Sequence, residues 1–201
     1  MKSICWFRND LRVLDNPALH HCCKHSDEVI AVYFINRAQW QEHDDALIKI
    51  NFWLRNLELL QNKLKQINIP LVVLEADNYS ETASALKDFC IKNEVKNLYF
   101  NNEYPINELE RDRNIYSSFK EDGIGVFTYH DQVIHEPGSL KTTTSNNFSV
   151  YSPFKRKWFA ELLESQLVIL DEPEKQESMS IEPTDLSKYL DEFAHPKSEL
   201  S

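Results

Sequence analysis

The residues best suited to chemistry lie between Tyr99 and Asp112, where Asn101, Asn102, Glu103, Tyr104, Asn107 and Glu108 fall within eight positions. These types recognise a ligand; they do not form a nucleophile with its base. A carboxylate accepts hydrogen bonds from ring N–H and amino groups, while an amide offers both a donor and an acceptor. Together with the aromatic rings they suit a planar heterocycle with amide-like edges. A purely local account also exists: Asn107 caps a helix, Glu110 completes a capping box, and Glu108 favours the helix dipole, together worth ~1–2 kcal/mol. That account covers Asn107 and Glu110 and leaves Asn101, Asn102, Glu103 and Tyr104 unexplained, so both readings stand.

Other chemistries lack their residues. Glycine occurs only three times, as Gly123, Gly125 and Gly138, so neither GxGxxG nor GxxxxGK[ST] can be written and the usual pyrophosphate-wrapping loops are absent. No GxSxG elbow, HExxH or carboxylate cluster with metal-binding spacing occurs. His20, His21 and His25 have no companion ligand at metal spacing and read as surface histidines. Cys5, Cys22, Cys23 and Cys90 form no CxxC pair and read as reduced, mostly buried thiols. The formal charge of −10 repels a phosphate backbone. The basic run Lys155-Arg156-Lys157 follows Ser152 as N-cap and Pro153 at the first helical position, and reads as a solvated helical turn.

The elements that must position the polar segment follow from periodicity. Short apolar runs at Ser3-Phe7, Val29-Ile35, Leu71-Leu74, Leu98-Phe100 and Val126-Tyr129 alternate with helical stretches. This predicts an α/β fold with a doubly wound, five-stranded parallel sheet. Leu47, Ile50, Leu54, Leu57, Leu60, Leu64 and Ile67 form the core stripe of one helix, ended by Pro70. Further helices are expected from near Ser80 to Lys92, from Asn107 to Lys120, and from Pro153 to Glu164, with 130–149 irregular. The acidic, proline-bearing stretch 171–178 has the composition of a linker. An open parallel sheet binds at the carboxyl ends of its strands, which directs attention to the loops after Phe7, Ile35, Leu74 and Phe100. With 42% hydrophobic residues in 201, one sizeable core is expected. No apolar run reaches membrane-spanning length and no signal peptide is seen, so a cytoplasmic, membrane-free protein is expected.

Three motifs carry a resemblance: Trp6-Phe7-Arg8-Asn9-Asp10-Leu11-Arg12 with Asp15-Asn16-Pro17-Ala18-Leu19 behind it, then Asn102 to Glu108 with Arg111-Asp112, then Tyr151-Ser152-Pro153-Phe154-Lys155 with Trp158. In that order they resemble the photolyase/cryptochrome family, from about Lys2 to the linker. The second resembles the stretch that holds a folate antenna in bacterial class I cyclobutane pyrimidine dimer photolyases.

The resemblance implies a Rossmann-like antenna domain over 1–130 and an interdomain connector over 131–201, the family's helical FAD-binding domain lying outside this sequence. It implies 5,10-methenyltetrahydrofolate as antenna, with Asn107, Glu108 and His43 as its binding residues, and Arg8-Asn9-Asp10 as a structural loop. FAD, ultraviolet-damaged DNA and the deoxyribodipyrimidine photo-lyase reaction would belong to the other domain. This chain alone is then expected to be inactive, to hold folate weakly, and to self-associate through an uncovered domain face. Two further readings remain: the N-terminal domain of a blue-light signalling cryptochrome, and a freestanding α/β nucleotide-binding or interaction domain.

Overall fold

Five short strands, each buried on both faces where it is central, form a wholly parallel sheet because every connection between them carries a helix. The computed structural model describes residues 1–164 and 168–195. The strands are β1 (Lys2–Trp6), β2 (Glu28–Ile35), β3 (Leu71–Glu75), β4 (Asn97–Asn101) and β5 (Gly125–Tyr129), in the order β3-β2-β1-β4-β5. The helices are α1 (Pro17–Lys24), α2 (Arg37–Glu42), α3 (Leu47–Gln66), α4 (Tyr79–Lys92), α5 (Ile106–Glu121), α6 (Tyr151–Glu164) and α7 (Ser187–Glu192). The five-stranded parallel sheet expected from the alternation is present. The winding reverses between β1 and β4, which makes their carboxyl ends the natural ligand crevice.

Alternation along β1 divides the core. Cys5 and Phe7 face α1, α3 and α7, whereas Ile4 and Trp6 face α4 and α5. In α3 the stripe Ile50, Leu54, Leu57, Leu60 and Leu64 is buried, but Leu47 at the helix's first position is exposed and Asn51 is buried in its place. Asn16 caps α1 by accepting from the Leu19 N–H, and Pro17 follows at N1. Gly123 ends α5 at φ 70°, with its N–H on Lys120 O and the Ile124 N–H on Phe119 O. These two bonds define a Schellman motif.

Two helix starts differ from expectation. α5 begins at Ile106 with extended Pro105 at the N-cap and no side-chain cap, because the Leu109 N–H already bonds the Pro105 carbonyl. Asn107 is therefore in the first turn, and the Asn107–Glu110 capping box does not form. Likewise α6 starts at Tyr151, with the Phe154 N–H on Val150 O, so Ser152 and Pro153 lie inside the first turn and Ser152 is not the N-cap. Pro153 is tolerated there because first-turn N–H groups have no intrahelical acceptor.

The acidic stretch with linker composition packs back along the sheet. Gln176 accepts from the Val29 N–H and donates to Val29 O. Thr184 bonds β3 through Leu71 O and the Val73 N–H. Beyond it Leu186 and Tyr189 are buried in the core. Among the described residues no helix is long and apolar enough to cross a membrane, and no group of three or more His, Cys, Asp or Glu could hold a metal.

Candidate functional site

The turn after β1 is built around buried polar side chains. Asp10 accepts from the Arg8 N–H at 2.8 Å, from Asn101 Nδ2 at 2.6 Å and from Asn16 Nδ2 at 3.2 Å. Asn101 also accepts from the Ala18 N–H at 3.0 Å. The ends of β1, β4 and α1 are thereby tied together.

A second network lies beside it. Arg8 Nη1 donates to both oxygens of Asp112 at 2.8 Å, and Arg111 Nη2 donates to Glu103 at 2.8 Å and Asp112 at 2.9 Å. Burial works against the Arg111 charge, but Asp112 and Glu103 outweigh it and raise its pKa. Arg8 lies over the rings of Trp6 and Phe100, and Arg111 over those of Trp6 and Tyr79, all within 4.9 Å. Two cations facing two carboxylates leave the buried cluster neutral, which is how such groups persist out of water.

Above this floor opens a crevice of about 220 Å³ at the carboxyl ends of β1, β2 and β4. One side carries Glu103, Glu108 and Arg111, the other Gln39, Trp40 and His43 from α2, with Trp53 beyond. This is smaller than the ~300–1,000 Å³ of a site enclosing a drug-sized ligand. A space of this size has room for about one fused ring system.

Glu108 is half-buried, and the Tyr79 hydroxyl donates to its Oε1 at 3.2 Å. Burial first, and then the Glu108 charge, push the Tyr79 pKa up to about 12, so Tyr79 stays a donor. His43 is the exposed C-cap of α2, its Nε2 2.7 Å from Gln39 Nε2. The donors Trp6 Nε1 and Arg8 Nη2 are buried without a hydrogen-bond partner, and both residues line the crevice. Glu108 as acceptor suits a heterocycle bearing amino and ring N–H donors.

The structure brings Glu108 and His43 together in this crevice, and places Asn107 just outside it. Asn107 is exposed and lines an adjoining depression of about 300 Å³ that shares Gln39, Tyr79 and Arg111 with the crevice. His43 closes a short helix. Sequence reasoning missed Tyr79, Trp40 and Trp53. Trp53 had a signal, since it lies off the leucine stripe of α3, and Tyr79 follows one of the four loops singled out. The cysteines are free, and burial pushes Cys23 and Cys90 up to about 12.

An open parallel sheet with a polar, aromatic-lined crevice at its winding reversal defines an α/β domain of the doubly wound class. Its relatives make the class specific. Residues 3–176 match the family model for DNA photolyase, and the chain belongs to that family. It is 34% identical over 157 residues to a deoxyribodipyrimidine photo-lyase of Buchnera aphidicola, covering 78% of this chain and 32% of that protein. The fold is similar to a class III photolyase from Agrobacterium tumefaciens (TM-score 0.78, 24% identity, 98% of this chain and 39% of that one). It is similar also to a cryptochrome of Synechocystis (TM-score 0.76, 20% identity, 92% and 40%). The chain spans about a third of the length of the curated relatives it matches.

Proposed function

We propose that this chain is the antenna domain of a light-driven DNA repair enzyme and that its crevice holds the pterin of 5,10-methenyltetrahydrofolate. The observation that carries the reading is the half-buried Glu108 carboxylate, held by the Tyr79 hydroxyl in a crevice lined by Trp6, Trp40 and Trp53. Glu108 would accept from the pterin's amino and ring N–H groups, Trp40 and His43 would flank it, and Asn107 would meet the part of the folate outside the crevice. When bound, the folate supplies absorption in the near-ultraviolet to blue. The chain's own residues orient it and exclude water from one face.

Repair of cyclobutane pyrimidine dimers by reduced FAD, and contact with ultraviolet-damaged DNA, would be the work of a further helical domain. In such a chain that domain would cover the exposed Tyr151, Phe159 and Leu163 of α6. Without it the crevice lacks the cover that domain would add and loses burial and preorganisation. Self-association through that face is the alternative for this chain alone.

Titration of the 201-residue chain with 5,10-methenyltetrahydrofolate, followed by near-ultraviolet absorbance, is expected to show saturable binding, micromolar or weaker, that Glu108→Ala abolishes. Submicromolar binding would show that this domain suffices without a cover; no saturation, or unaltered binding by Glu108→Ala, would reject the site. A repair assay on a relative-length chain separates the photolyase reading from the cryptochrome one. There Glu108→Ala should remove the antenna absorption and spare repair.

A further inference from the structure

α2 supplies Gln39, Trp40 and His43 to the crevice, yet it has six residues and no side-chain cap. A helix this short does not hold its place by itself. What fixes it comes from the far end of the chain. Arg37, its first residue, pairs with Glu75 at the end of β3 at 2.5 Å and donates to both oxygens of Glu192 in α7 at 3.1 and 2.7 Å. The same guanidinium lies 5.6 Å from the ring centre of Tyr189 and 5.9 Å from that of Phe193.

Trp40 is the partition between two spaces. One side faces the crevice, and the other faces a depression of about 360 Å³ with Arg37, Glu192 and Phe193 in its lining. Phe193 meets Trp40 edge-on at 5.3 Å and is itself anchored by Asn51 Nδ2, which donates to its carbonyl at 2.9 Å. The Tyr189 hydroxyl donates to Glu75 at 2.5 Å, so β3, α2, α3 and α7 converge on one junction. Glu75 and Glu192 are both held below the usual carboxylate range, the first chiefly by Tyr189 and the second by Arg37.

We propose that α7 is a clasp that positions the α2 wall of the crevice, with Arg37, Glu192 and Phe193 acting as positioning residues that set Trp40 and His43 for the ligand. None of the three lines the crevice. The ligand-affinity part rests on the pterin reading above; the positioning of α2 does not.

The test uses the 201-residue chain and its Phe193→Ala, Phe193→Tyr and Glu192→Gln variants. Hydrogen exchange of amides 38–45 is read by mass spectrometry without ligand, and 5,10-methenyltetrahydrofolate is then titrated. Phe193→Ala is expected to speed exchange over 38–45 by about tenfold while β1, β2 and β4 keep their protection. It should also weaken folate binding by about five- to tenfold. Phe193→Tyr restores both, and Glu192→Gln moves both in the same direction by less.

Unchanged exchange at 38–45 in Phe193→Ala and Glu192→Gln overturns the proposal, as does a rise spread equally over the sheet. Faster exchange with wild-type affinity overturns the link to the ligand. If the unaltered chain binds no folate, the pterin reading fails and exchange alone decides the clasp. If Phe193→Ala does not fold, Glu192→Gln, at an exposed position, decides it.

Discussion

The two walls of the crevice are made by different means. On the α5 side, Arg8, Glu103, Arg111 and Asp112 form a buried, charge-balanced network whose members come from the turn after β1, the β4–α5 loop and the first turns of α5. On the α2 side, one short helix is held by a half-exposed arginine and by rings from a segment about 150 residues further along the chain. A buried network has few alternative arrangements, because each rearrangement strands a charge away from water. An exposed clasp can open at little cost. The first wall therefore presents fixed chemistry, and the second can adjust to what it covers.

The sharpest way to break this contrast is Arg111→Ala. It leaves Glu103 and Asp112 buried with Arg8 as their cation, and should cost about 3–5 kcal/mol of stability by urea unfolding. A loss under about 1 kcal/mol would mean that the network is no scaffold. Asn16→Ala comes next, removing the α1 cap together with contacts to Asp10 and Asn101. About 2 kcal/mol is expected in the same measurement.

His43→Ala, on the adjustable wall, should change stability by less than about 0.5 kcal/mol. It should weaken folate binding by about threefold, measured by the same absorbance titration. A stability loss as large as that of Arg111→Ala would show that the walls are not distinct. The smallest effect concerns pH. Glu75 and Glu192 have depressed folded-state values, so their contribution is full above the ordinary carboxylate range near pH ~4.3 and lost as pH falls through the lower folded values. Acidification below about pH 4 should therefore lower the protection of amides 38–45 first, relative to their intrinsic exchange rates at each pH, with β1 and β4 keeping theirs; simultaneous loss would count against a separate clasp.

The sequence displayed the sheet well, because β1, β2 and β4 need apolar residues on both faces and helical stretches separate them. The resemblance pointed to Asn107, Glu108 and His43, and the structure sets Glu108 and His43 in the lining of one crevice with Asn107 outside it. The start of α5 was misread for a local reason. Asn107 and Glu110 have capping-box spacing, but the Pro105 carbonyl engages the helix earlier. Neither α2 nor α7 is long enough to show a period, and the acidic composition before α7 hides the apolar anchors Leu186 and Tyr189. The pairing of Arg8 with Asp112 spans 104 positions. Such a contact follows from topology and leaves no mark in local spacing.

Gln176 has a consequence outside the crevice. Its amide occupies both main-chain groups of Val29, and Thr184 does the same for the outer side of β3, so the returning segment seals one margin of the sheet against a foreign strand. A chain shortened to end at β5 would present open margins on both sides and would also lose Leu186 and Tyr189 from its core, so cross-chain strand pairing and exposed apolar surface would act together against its staying in solution.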